Sequence, residues 1–163
     1  MKADLSVPLH LAELTPEIIG QLSVYLSAHS RLELAALGVR PDEDVLALVA
    51  MAHTADYAFA IMQGDCPLVM LGADRDPDDE KQWTTWFMFS DLFYERGREA
   101  TRIVNDVLTK GIALEQPETI RVHSYCPDDK AMKWFARLGF VPVDTEGEGH
   151  RWTILEYQFK DKE

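Results

Sequence analysis

Cysteine is scarce in this chain, and its two copies, Cys66 and Cys126, are too few for a disulfide framework, which points to a reducing compartment such as the cytoplasm. Positive charge is scarce as well. Sixteen Lys and Arg face 28 Asp and Glu, a net charge of −12, and that balance argues against a broad nucleic-acid-binding face. Long apolar runs are missing: the strongest, Val45 to Ala52 (VLALVAMA), is far shorter than the roughly 20 residues a bilayer crossing requires. The opening MKADLSVPLHLAEL has no signal-like apolar stretch. The five histidines (His10, His29, His53, His123, His150) form no H-x-x-x-H pair, so no metal site is expected, and no G-x-S-x-G elbow occurs. These absences leave a soluble cytoplasmic protein without nucleic-acid or membrane partners.

What is present fits one α/β domain over residues 1–163, with 47% hydrophobic residues to build a core. A strand is expected around Val7 to Glu13. Thr15-Pro16-Glu17 then supplies an N-cap, a first-turn proline and a first-turn acid for a helix that carries Ile18, Ile19, Leu22, Tyr25 and Leu26 on one face and frays before Pro41. Pro41 to Asp44 starts a second helix, dense enough in Val45, Leu46, Leu48, Val49 and Ala52 to be largely buried. Alternation at Tyr57, Phe59 and Ile61, a turn at Gly64-Asp65, and Leu68 to Ala73 read as a hairpin, with WTTWFMFSDLF as a third antiparallel strand. RGREATRIVNDVLTKG returns to helical spacing, with Gly111 as its stop. Thr119 to Tyr125 is a strand, Asp128 caps a helix that Gly139 ends, and Phe140 to Val143 pairs with Trp152 to Phe159 as a closing hairpin.

This order, with DDKAMKWFARLGFVPV near its end, resembles the GCN5-related N-acetyltransferase (GNAT) superfamily. The narrower segments SRLELAAL, GDCPLVMLGA, LFYERGREATRIVNDVL and VHSYCPDDKAMKWFARLGF resemble a divergent GNAT-like group encoded by short-tailed phages and related to small internal virion proteins. The resemblance implies a mixed, mostly antiparallel α+β sheet with two splayed parallel strands, Trp83 to Phe89 and Thr119 to Tyr125, and acetyl-CoA bound between them. It implies cofactor amides pairing with the open backbone edge at Phe89, Ser90, Asp91 and Leu92. The pyrophosphate would rest on the following helix start at Arg96, Gly97 and Arg98, with Arg102 one turn on; Asp128 and Phe135 would also border the cofactor.

Two departures from the family pattern bear on activity. YERGREA lacks the usual phosphate-loop sequence, having Tyr94 and Glu99 where the pattern wants Gln or Arg and Gly or Ala. Phe135 stands where many members carry a Tyr that protonates the departing thiolate, a contribution commonly worth about 10² to 10⁴ in rate. Tyr125 is the replacement that the sequence offers. The expected function is acetyl transfer to an amine or a protein, including a bacterial host protein, by a monomer or homodimer. The alternative is a GNAT-fold binding protein, a virion component or host-protein modulator, that no longer turns over. Either way, Arg96 and Arg98 are expected to hold cofactor phosphates while contributing little to folding.

Overall fold

The structure is a computed structural model that describes residues 6–125, 128–146 and 152–159. Seven strands form one sheet in the order β1-β2-β3-β4-β5-β7-β6. They are β1 (Leu9–Glu13), β2 (Tyr57–Gln63), β3 (Cys66–Arg75), β4 (Gln82–Phe89), β5 (Thr119–Ser124), β6 (Val141–Glu146) and β7 (Trp152–Gln158). All neighbouring pairs are antiparallel except β4 and β5. Helices α1 (Pro16–Val24), α2 (Ala28–Ala36) and α3 (Asp44–Thr54) precede β2; α4 (Gly97–Asp106) links β4 to β5, and α5 (Asp129–Leu138) links β5 to β6.

The sheet is covered on both faces, which explains why β4 reads WFMF rather than alternating apolar with polar. Trp83, Phe87 and Phe89 point to one core, shared with Ala100 and Val104 of α4 and with Phe135 and Leu138 of α5. Met88 and Met70 point to the other, filled by Ile19, Leu22, Leu26, Leu34 and Leu48 of the first three helices and the turn after α1. Among the described residues no helix is long and apolar enough to cross a membrane.

Local signals hold where the chain decides alone. Thr15 Oγ1 accepts the Ile18 N–H, Asp128 Oδ1 accepts the Ala131 N–H at 2.8 Å, and Gly139 ends α5 at φ +94°. Gly64 turns the β2–β3 hairpin at φ +56°.

Three expectations need correction. The first helix does not fray through residues 27–38: Leu26 bridges to Ser90, which breaks the helix, and Ser27 caps a fresh one. The α3 helix is not largely buried, because only one stripe of it meets the core; Leu48 is sealed, whereas Val45, Leu46 and Val49 face outward. Gly111 does not stop α4. The chain widens into a π turn over Val107–Gly111, tightens to a 3₁₀ turn over Ile112–Glu115, and ends at Gln116 with φ +54°. Leu108 and Ile112 are both anchored in the core, so the backbone is carried through the glycine between them.

Glycine is sterically required at position 72, where β3 faces Trp86 of β4 and a Cβ would lie 2.2 Å from the indole. Gly72→Ala is expected to destabilise the fold by about 1–3 kcal/mol through overpacking. Gly20→Ala, inside α1 with nothing within 4 Å, should be neutral or stabilising by about 1 kcal/mol. Urea unfolding of the two variants measures both.

Candidate functional site

Parallel pairing of β4 with β5 runs from Gln82 opposite Thr119 to Thr85 opposite Val122 and then stops, although β4 continues to Phe89 and β5 to Ser124. The strands part there, as the resemblance implies. The first two turns of α2 lie across the gap. The Ser27 N–H donates to the Phe89 carbonyl at 2.8 Å, and the Phe89 N–H donates to Ser30 Oγ at 2.8 Å. On the other side, Glu33 accepts the Tyr125 N–H at 2.8 Å and the Ser124 hydroxyl at 3.2 Å. Two serines hold one strand and a glutamate holds the other.

The backbone that sequence reasoning assigned to cofactor amides is therefore engaged. Phe89 is bonded to α2 through both its groups, Ser90 N–H donates to Leu68 O at 2.8 Å, Asp91 N–H donates to Tyr25 O at 2.9 Å, and Leu92 is buried. The open edge expected from Phe89 to Leu92 is filled at Phe89 and Asp91: the turn between α1 and α2 and the first turn of α2 have supplied the missing strand's bonds there.

A cleft of about 790 Å³ opens on one side of the gap, between the start of α4 and the outer face of α5. Six of the sixteen Lys and Arg of the chain line it, in a protein of net charge −12. Five of these are exposed. Arg98 and Arg102 lie four residues apart on α4; Lys130, Lys133 and Arg137 follow an i, i+3, i+7 stripe on α5 that faces them. The sequence points to the first pair but not to the second stripe, although the helical spacing of that stripe is present in DDKAMKWFARLGF. The first-turn N–H groups of Gly97, Arg98 and Glu99 have no intrahelical acceptor, and nothing lies within 4 Å of where a Gly97 side chain would be. At the cleft floor the Trp134 indole N–H donates to Thr101 Oγ1 at 3.0 Å and stands edge-on to Phe87 and Phe89. Lys130 Nζ lies 4.2 Å from the Tyr94 ring centre at the rim.

Arg96 plays a different part from its neighbours. Its side chain is 1% exposed; one terminal nitrogen donates to Val7 O at 2.6 Å and Gln63 Oε1 at 3.1 Å, the other to Glu99 Oε2 at 2.6 Å. It ties the start of α4 to the edge of the sheet. The expectation that it is dispensable for folding is thus corrected.

On the opposite side of the gap is a hollow of about 60 Å³, walled by Leu37, Met51, Trp86 and Met88 and reached by Glu33 and Tyr125. Phe135 is buried and borders both spaces, as do Phe89 and His29. Tyr125 lies at the end of β5, with its N–H fixed by Glu33. By sequence, His29 is only one of five histidines without metal-site spacing. Its Nε2 is 3.3 Å from Glu33 Oε1 and its Nδ1 is 3.3 Å from Asp128 Oδ2. The hydrogen bond to Glu33 raises its pKa first of all, partly opposed by burial and reinforced by Asp128. Asp128 is held below the usual carboxylate range chiefly by the Ala131 N–H, with His29 contributing. Position 29 carries no motif, and only the approach of the first turn of α2 to the cap of α5 brings it beside Asp128.

No protein-family model and no curated protein matches the sequence. Solved structures match closely in shape. An aminoglycoside 6'-acetyltransferase type Ii superposes with a TM-score of 0.70 at 18% identity, covering 94% of this chain and 99% of its own. An acetyltransferase from Thermus thermophilus gives 0.65 at 20% identity, covering 94% and 98%. A ribosomal-protein-S5-alanine acetyltransferase from Vibrio fischeri gives 0.64 at 14% identity, covering 94% of each chain. The chain has the GNAT fold.

Two outcomes follow from the site geometry. Arg96→Ala should cost about 2–4 kcal/mol of stability, since it leaves buried acceptors without a donor, whereas Arg98→Ala should leave the unfolding midpoint nearly unchanged. Because the folded state raises the pKa of His29, its ion pairs stabilise the fold fully below the ordinary histidine value, and that contribution is lost as pH rises through the raised value. Thermal melts of the parent should fall relative to His29→Gln across that window, and parallel pH profiles would refute the coupling.

Proposed function

We propose that the protein binds acetyl-CoA in the α4–α5 cleft and transfers the acetyl group to an amine. The observation that carries this reading is the coincidence of the strand divergence with the chain's concentrated cationic cleft. The residues present fit the cofactor's chemistry. Arg98 and Arg102 with Lys133 and Arg137 suit phosphates through charge-assisted bonds, and the first-turn N–H groups of α4, which have no intrahelical acceptor, suit a pyrophosphate. Acetyl-CoA supplies an activated thioester; the chain supplies position and charge. Trp134, Phe89 and Phe135 form an apolar floor where the thioester would enter the gap and lose water.

The acceptor side favours an amine carried on a polypeptide. A hollow of about 60 Å³ cannot enclose a drug-sized molecule, and its carboxylate, Glu33, already takes hydrogen bonds from Ser124 and Tyr125. A polycation such as an aminoglycoside, the acceptor named for one structural neighbour, would find little counter-charge there. A single amine at the tip of a longer chain, as in the alanine acceptor named for another, needs only that small space.

A second reading is a cofactor-binding or host-directed module without turnover. Two observations favour it: Phe135 has no proton to donate, and α2 holds the Phe89 backbone that a cofactor amide would use. The resemblance to phage virion-related proteins belongs with this reading.

Calorimetry with acetyl-CoA separates these possibilities. Binding should be lost progressively with added salt, and Arg98→Ala should weaken it by about 1.5–3 kcal/mol, with a smaller and more salt-screened effect for Arg102→Ala. Absence of binding at millimolar acetyl-CoA would defeat both the enzyme reading and the cofactor-binding module. Binding without product across amines and lysine- or alanine-terminated peptides would select the module.

A further inference from the structure

Two spaces meet at the strand divergence, and among the described residues three side chains border both: Phe89, Phe135 and His29. Only His29 can hold or release a proton. Its two ring nitrogens face different sides. Asp128, beside Nδ1, lines the large cleft, while Glu33, beside Nε2, lines the small hollow. The ring thus lies between the two spaces that Phe135 also borders, and Phe135 is the position where the resemblance would place a proton-donating Tyr.

We propose that His29 is the catalytic acid of this site, donating a proton from its cleft-facing edge to the sulfur that leaves the acetyl group. The inference rests on the acetyl-CoA reading above. In the step, the amine lone pair forms the N–C bond to the acetyl carbon. The C–S bond breaks with its electron pair left on sulfur, and imidazolium gives that sulfur its proton. The acylated nitrogen then gives up the proton that restores imidazolium, so His29 ends as it began.

The surroundings suit that role. Glu33 from its own helix and Asp128 from the start of α5 both stabilise the protonated ring, and Tyr94 and Lys130 face the cleft nearby. His123 and Tyr125 border the hollow on its far side. His29 is also shielded, with 15% of its side chain exposed, so its charge acts across little intervening water. Asp128 is the more exposed carboxylate, at 58%, and the Nδ1 edge is therefore the one that an incoming ligand can displace from its partner.

The test uses free CoA and needs no acceptor. A cation against the sulfur should raise the thiolate fraction of bound CoA at neutral pH by about tenfold over free CoA, measured by ultraviolet absorbance in a pH titration. In His29→Gln, with CoA still bound by calorimetry, the thiol should titrate as in free CoA. Glu33→Gln keeps hydrogen-bonding capacity but removes one charge that favours imidazolium. Its enhancement should therefore disappear at lower pH than in the parent, tracking the His29 imidazole resonance by NMR. That variant also serves if His29→Gln fails to fold. Bound CoA whose thiol titrates identically in parent, His29→Gln and Glu33→Gln would overturn the proposal while leaving the cofactor reading intact. Failure of the parent to bind CoA would defeat the reading on which it rests.

Discussion

Backbone groups in a sheet must find partners, and the parting of β4 from β5 after Thr85 and Val122 leaves such groups facing a gap rather than a strand. The protein meets that demand with a helix start. Ser27 and Ser30 take both groups of Phe89, and Glu33 takes the Tyr125 N–H, so α2 bridges the strands without closing the sheet. Two spaces of unlike character are separated by that bridge, one cationic and roomy, the other small and largely apolar.

The bridge also explains why the charged residues sort as they do. Arg96 lies where α4 leaves the sheet, and there a guanidinium can satisfy the Val7 carbonyl, Gln63 and Glu99 at once, so it is buried as a fastening. Arg98 and Arg102 project from the next turns, where the helix faces α5 across open space. Three arginines close together in sequence therefore have two distinct physical fates. An overall acidic protein can still present a locally attractive surface to an anion, because the potential inside a cleft is set by the groups that line it rather than by net charge.

A half-buried histidine between two carboxylates would be an ordinary ion pair elsewhere. Here its position at the divergence matters, because the ring borders both the cationic cleft and the small hollow. The same contacts that fix α2 over the gap fix the ring, so stability and chemistry are coupled at this residue.

The amino-acid sequence alone determined the elements whose causes are local. Thr15 and Asp128 as caps, Gly64 and Gly139 as turns, WTTWFMF as a strand and the closing β6–β7 hairpin all follow from periodicity, composition and backbone sterics. The GNAT element order was legible for the same reason, as was the α4 half of the cationic cleft. The tertiary structure alone decided what depends on encounters between distant segments. It buried Arg96, filled the Phe89 edge with a helix start 59 to 62 residues earlier in the chain, exposed much of α3, carried α4 past Gly111, and joined His29 to Asp128. None of these has a spacing to read, because a hydrogen bond across such a distance leaves no periodic trace in either segment; it exists only once the sheet has set where the two segments meet.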